Sequence, residues 1–224
     1  TGNWSDPDGH GTHVAGSVLG NGTMSNGQIK GMAPDAKLVF QSILNYTTYN
    51  LTSIDLYNTL FPDAYSSGAR IHSNSWSTKS LSTSIDYDMQ SYIVDKFMWN
   101  NSDFVVLCSA GNSGIVGLLS PSTAKNCITV GSSRSSRNGG DINYLYSFSN
   151  RGPTAEGRIK PDVVAPGTYI VSTKSMLPSI ASCNQSYENN GNYSYCSGTS
   201  TSTPIVAGIV ALIRQFYVQT KGIS

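Results

Sequence analysis

The chain has 224 residues, 38% of them hydrophobic and only 12% charged, and its fourteen Lys and Arg against thirteen Asp and Glu leave a net charge of +1. That charged share is about half the usual ~25%, and the near-neutral balance without a basic run argues against nucleic acid as a partner. The longest apolar segment, 205–213, is interrupted by Gly208 and falls short of the ~20 residues of a membrane span, while the composition excludes collagen, coiled coil and a wholly disordered chain.

Short apolar runs bounded by turn residues predict strands at 37–43, 69–73, 104–109 and 128–131. Between them lie helical patterns. Residues 51–67 read as a helix that Pro62 kinks or splits. Ile85, Met89, Tyr92, Ile93 and Phe97 fall on one helical face, as do Ile205, Ile209, Leu212, Ile213 and Phe216. Strand–helix alternation implies an α/β fold with a mainly parallel sheet flanked by helices, functional groups gathering at the carboxyl ends of its strands. No internal repeat or linker is visible, so residues 1–224 read as one domain. Residue 1 is Thr and 219–224 trail off after a helical pattern, which reads as a piece of a longer chain, truncated at both ends.

Seven N-x-[ST] sequons, at Asn3, Asn21, Asn45, Asn50, Asn100, Asn184 and Asn192, together with the low charge favour a secreted glycoprotein. Cys183 and Cys196 flank a polar stretch that a disulfide would staple, worth ~3 kcal/mol in the loop-entropy view. Cys108 and Cys127 sit in strand-like runs and fit either a cross-strand bridge or buried thiols.

Three clusters carry chemistry. In Asp8-Gly-His-Gly-Thr-His-Val-Ala-Gly16, glycines on both sides leave the His10 imidazole accessible at a loop-to-helix junction, which suits a general base. The H-x-x-H spacing of His10 and His13 also admits a metal, but the glutamate of a zincin helix is missing. In Ser109-Ala-Gly-Asn-Ser-Gly114, directly after an apolar strand, Asn112 offers an amide that can donate to an oxyanion. In Ser197-Gly-Thr-Ser-Thr-Ser-Thr-Pro-Ile-Val-Ala-Gly208, a tight turn places a serine hydroxyl at a helix N-terminus, with Pro204 expected in the first turn. Each cluster alone has an ordinary reading as a packed His, an Asn turn or a helix cap. In chain order they supply a base, an oxyanion donor and a nucleophile.

Jointly these motifs, with Arg151-Gly-Pro-Thr, Arg158-Ile-Lys-Pro-Asp-Val-Val-Ala-Pro-Gly167 and Gly68-Ala-Arg-Ile-His-Ser-Asn-Ser-Trp76, make the chain resemble a subtilisin-like serine peptidase. The branch suggested is that of oxidatively stable alkaline proteases, and the resemblance runs from about Asp6 to the C-terminus. It implies a three-layer subtilisin-like fold, Ser200 as nucleophile, His10 as base, and an oxyanion hole from the Asn112 amide and the Ser200 N–H. It also implies Ser75-Trp76-Ser77 as the strand that pairs with substrate backbone, and Ala110-Gly111 as the lining of the P1 pocket. Peptide or protein substrates follow, with no required cofactor, Ca2+ as a structural ion with no nameable site, and further domains in the intact chain.

Two departures stand out. Thr201 stands where the family usually has Met after its nucleophile, which removes an oxidisable sulfur. The family's catalytic Asp, which ends an early strand in an Asp-Thr-Gly or Asp-Ser-Gly context, has no match. Only nine residues precede His10, and Asp6 and Asp8 lie in a Ser-Asp-Pro-Asp-Gly turn where they read as turn formers. The expectation is that the Asp-bearing strand lies upstream of residue 1 and that this segment alone is inactive. The alternative is a non-catalytic relative that keeps the fold as a binding or interaction module. His72 reads as a packed strand residue.

Overall fold

The structure, a computed structural model, describes residues 5–45, 50–51, 55–77, 87–114, 117–177, 183 and 185–222. In chain order its elements are α1 (His10–Leu19), the short pair β1 (Leu44–Asn45) and β2 (Asn50–Leu51), and a π-helical turn at Leu56–Leu60 running into α2 (Phe61–Ser66). There follow β3 (Ile71–Asn74), α3 (Met89–Asn100), β4 (Val105–Ser109), β5 (Ile128–Ser133), β6 (Val163–Pro166), β7 (Ile170–Thr173), β8 (Gln185–Ser186), β9 (Tyr193–Cys196) and α4 (Thr199–Lys221).

The central sheet has the order β3-β4-β5-β6 and is parallel throughout. A smaller antiparallel sheet, β7-β9-β8, lies beyond it. The pleat of β4 sorts the core into two. Val106 and Cys108 pack with Leu56, Phe61, Val94, Phe97 and Phe104 under α2 and α3. Leu107, between them, packs with Val130, Ala165 and Ala207, joined by Val18 of α1 and Ile205 of α4. Alternate residues of one strand thus face two helical layers, the expected α/β sandwich of helix, sheet and helix.

Local chemistry sets the element ends. The Asp88 carboxylate accepts from the Ser91 amide at 3.0 Å and opens α3 at Met89, a cap worth ~1 kcal/mol; Ile85, expected on the same face, lies outside the described residues. Asp55 likewise caps the π turn through the Tyr57 and Asn58 amides. Pro62 divides the 51–67 pattern as expected, falling in the first turn of α2 where its missing N–H costs nothing. Leu51, expected in that helix, instead pairs with Leu44 in the short hairpin ladder.

The strand expected at 37–43 does not form. Residues 37–43 belong to no strand or helix, and within the segment the Gln41 side chain reaches β3, its Oε1 meeting His72 Nε2 at 3.0 Å. Between it and β3 lies an apolar cavity of about 880 Å³, walled also by Val14 and Val18 of α1 and Ala207, Ala211 and Val218 of α4. A strand needs a ladder partner, and here the space for one is open. His72 is packed as expected, edge-on against Phe61 at 5.0 Å.

At 23 residues, α4 is the longest helix, and an 18-residue window of it has mean hydropathy 1.3, with 33% of that window buried. By length and composition it could cross a bilayer, which revises the sequence expectation. Its first ten residues nevertheless carry eight buried ones, Thr199–Pro204, Ala207 and Gly208, while Ile213 and Phe216 farther along are exposed. Cys183 and Cys196 form the expected disulfide, and Cys108 and Cys127 are buried free thiols. Of the sequon asparagines, Asn21, Asn45 and Asn100 are exposed and Asn192 is half-buried; Asn3 and Asn184 lie outside the described residues.

Candidate active site

A cleft of about 710 Å³ runs past the end of β4, with His10, Ser75, Trp76, Ser77, Gly111, Asn112 and Ser200 among its lining residues. Four separate chain segments meet there, as the sequence reading requires. Ala110, expected beside Gly111 in that lining, is fully buried and lies behind the wall that Ser109 and Gly111 form. β4 ends at Ser109, but the Ala110 amide still donates to Val130 O of β5 at 3.0 Å, which holds Ala110 against the sheet and out of the cleft.

His10 is the first residue of α1, preceded by Gly9 at φ 83°, a left-handed position suited to glycine. The turn before it is built by the two aspartates. Asp6 accepts from the Gly9 amide at 3.0 Å, the Thr12 amide at 2.6 Å and the Thr12 hydroxyl at 2.7 Å. Asp8 accepts from the His10 amide at 3.2 Å. These are the turn-forming roles expected of them, and they also place negative charge at the start of a helix. Burial lowers the His10 pKa, with Asp8 and then Asp6 partly opposing it. The imidazole is therefore neutral near pH 7, the form a general base needs.

Asn112 is held by a residue that the sequence reading passed over. Thr199 donates to Asn112 Oδ1 twice, from its amide at 2.8 Å and its hydroxyl at 2.9 Å. The same hydroxyl accepts from the Gly111 amide at 3.1 Å. Two donors on the carbonyl oxygen fix which end of the amide is which and leave Nδ2 as the free donor. A Cβ built on Gly198 would stand 3.0 Å from Ser200 Oγ and 3.2 Å from Asn112 Nδ2. The hydroxyl and the amide therefore border one small space, which Gly198 keeps clear. Gly111 is required for a second reason: at φ 111°, its Cβ would stand 2.5 Å from Asn150 Nδ2.

Ser200 is the second residue of α4 and is 9% exposed. Its turn is pinned by Thr201, whose hydroxyl donates to Gly198 O at 2.8 Å and reaches Gly167 O at 3.2 Å. The Gly198 amide donates to Gly167 O at 2.8 Å. Pro204 is the sixth residue of the helix, beyond the first turn where the sequence reading put it. Having no N–H, it leaves the Ser200 carbonyl without its i+4 donor. Ser75 Oγ supplies one at 2.8 Å. Ser75–Ser77 thus extend past the last β3 ladder pair, Asn74↔Cys108, and anchor directly on the Ser200 residue. The facing wall was not foreseen: Leu119, Tyr169, Tyr195 and the Cys183–Cys196 disulfide also line the cleft.

His13, the second histidine of the H-x-x-H pair, does not join His10. Its ring is fully buried, with Nε2 at 3.0 Å from Ile170 O and 3.2 Å from Ser194 O.

The chain is similar to "Serine protease AprX" of Bacillus subtilis (strain 168), 36% identical over 223 residues that cover 94% of this chain and 49% of that protein. It is 31% identical over 208 residues to "Thermophilic serine proteinase" of Bacillus sp. (strain AK1), covering 93% of this chain and 43% of that one. A third relative, "Serine protease/ABC transporter B family protein tagD" of Dictyostelium discoideum, is 27% identical over 289 residues, covering 94% of this chain but 16% of that one. The chain spans half or less of the length of these relatives. Among solved structures, "Structure of Patellamide maturation protease PatA" superposes with a TM-score of 0.71 at 27% identity, covering 94% of this chain and 66% of that one. The model of the Subtilase family matches residues 2–222, and the chain belongs to that family.

Proposed function

We propose that the intact protein is a serine endopeptidase working through an acyl-enzyme, with Ser200 as nucleophile, His10 as general base and Asn112 as oxyanion donor. The observation that carries this is the shared space beside Gly198, bordered by Ser200 Oγ and Asn112 Nδ2 in a cleft that His10 also lines. Ser200 Oγ attacks the peptide carbonyl as His10 takes its proton. The Asn112 amide and the Ser200 N–H receive the oxyanion, and His10 returns the proton to the leaving amine before water reverses the sequence. Ser75–Ser77 pair with substrate main chain, which makes recognition broad because every peptide offers the same groups.

The triad Asp belongs, on this reading, to a strand upstream of residue 1 that lies between the 37–43 segment and β3. What supports it is the apolar cavity there, which borders His10 at one end, and the engagement of both Asp6 oxygens with the turn. The 224-residue chain alone is then inactive. Secretion, glycosylation, structural Ca2+ and further domains complete the proposal. The oxidatively stable branch is supported by Thr201, which puts a hydroxyl where a sulfur would be oxidised.

The test is labelling of the native, full-length protein with a fluorophosphonate, followed by peptide mapping. An adduct on Ser200 is expected. Absence of an adduct on folded, processed protein would favour the non-catalytic relative.

A further inference from the structure

The Cys183–Cys196 disulfide lies against an imidazole that is short of a partner. A ring nitrogen of His13 and the two sulfurs all lie within 4.8 Å of one another. His13 Nε2 faces two carbonyl oxygens, Ile170 O at 3.0 Å and Ser194 O at 3.2 Å. Carbonyls only accept, so the proton is on Nε2 and Nδ1 carries the lone pair. Nδ1 is buried and has no hydrogen-bond partner among the described residues. A disulfide has no proton to offer it. The oxidised pair therefore leaves a buried acceptor unsatisfied beside two sulfurs, which sets it apart from the other unpaired buried polar atoms, such as His72 Nδ1.

We propose that Cys183, Cys196 and His13 Nδ1 form a redox-gated site for a thiophilic divalent cation of the zinc class, closed while the disulfide stands and opened by a thiol reductant. Two reductant thiols pass two electrons to the disulfide and leave as their own disulfide, and Cys183 and Cys196 become thiols. The cation then displaces both thiol protons to solvent. Two thiolates and a neutral imidazole give the cation a site of zero net charge, and cleft water completes four-coordination. The second shell is already built, since the Nε2–H bonds to β7 and β9 fix the ring as metal-bound histidines require. Cys183 and Cys196 both line the cleft that holds Ser200, so an occupied site would alter that cleft's wall. The inference does not depend on the peptidase reading.

The experiment uses the full-length protein, Co2+ as probe and a phosphine reductant removed before titration. Reduced protein should bind one Co2+ with a thiolate charge-transfer band and the visible spectrum of a tetrahedral site, displaced by Zn2+, and oxidised protein should show neither. Cys183→Ser and Cys196→Ser should each lose part of the charge-transfer band, and should weaken binding by more than the ~10–100-fold that loss of a second-shell partner costs. Because His13 bridges two strands, its variants are not relied on. Its Nε2–H should instead appear as a paramagnetically shifted, exchangeable proton resonance of the Co2+ form. Equal Co2+ affinity in oxidised and reduced protein, an unchanged band in the serine variants, or absence of that resonance would each overturn the assignment.

Discussion

The Ser75 hydroxyl donates to the Ser200 carbonyl at 2.8 Å, taking the place of the helix donor that Pro204 lacks. One bond thus ties the proposed substrate strand to the proposed nucleophile. Replacing Ser75 by Ala leaves a buried carbonyl unpaired and should cost about 1–3 kcal/mol in urea unfolding. Pro204→Ala returns an N–H four residues on, so the Ser75→Ala/Pro204→Ala double variant should recover most of that loss. A double-mutant cycle reads the coupling directly; strictly additive effects would dismiss the substitution of one donor for the other.

Asn112→Asp keeps an oxygen for the Thr199 donors but removes the free N–H. In the intact protein kcat should fall by about 10²–10³ with KM little changed, a magnitude established on a subtilisin itself. The melting temperature should move far less than activity does. A matching rise in KM would mean that the amide binds the ground state.

Gly198→Ala puts a methyl 3.0 Å from Ser200 Oγ and 3.2 Å from Asn112 Nδ2. Turnover should fall sharply. Gly111→Ala, by contrast, should chiefly unfold, since its Cβ meets Asn150 at 2.5 Å in a left-handed backbone. Parallel assays of kcat and thermal unfolding separate the two.

Burial of His13 holds its pKa down, from 6.5 to about 4. The unfolded chain therefore binds a proton in that window that the native state refuses. Stability should be level above about pH 6.5 and fall as pH drops toward 4, by on the order of 3 kcal/mol from this group. Urea titrations at stepped pH check the slope, and NMR titration of the His13 ring in the folded protein checks its source.

His10 titrates below 6.5 in this chain because burial outweighs Asp8 and Asp6. An upstream carboxylate reaching it would favour the imidazolium, so NMR titration of a longer protein should show a higher pKa. An unchanged value in a folded, longer protein would remove the proposed Asp from His10.

The readable parts of the fold were those with local signatures. The apolar runs of β4 and β5 were visible because they form the buried centre of the sheet; α4 was visible from its apolar period, although Ile209, Leu212, Ile213 and Phe216 of that face are exposed and its buried residues are Thr199–Pro204, Ala207 and Gly208. The motifs around His10, Asn112 and Ser200 stood out because glycine and small residues surround each, and the structure brings the three to one cleft. β7 and β9 went unread, because the two apolar residues of β7, Ile170 and Val171, and the Tyr-Ser-Tyr-Cys of β9 are too short and too mixed to mark strands until they are paired with each other. Thr199 was hidden for the same reason: it reads as a helix cap until Asn112, 87 residues away, is placed against it. The 37–43 run shows the converse, an apolar pattern that remains irregular because a strand belongs to a pair.

The open edge of β3 makes the site a divisible machine on the proposed reading. Nucleophile, base and oxyanion donor sit on one body, and the remaining carboxylate arrives with a strand that docks beside it through main-chain pairing. A synthetic peptide carrying that strand would then act as a soluble switch, with hydrolysis set by peptide dose. Joined to two interacting proteins, the halves would report their encounter by cleaving a fluorogenic substrate.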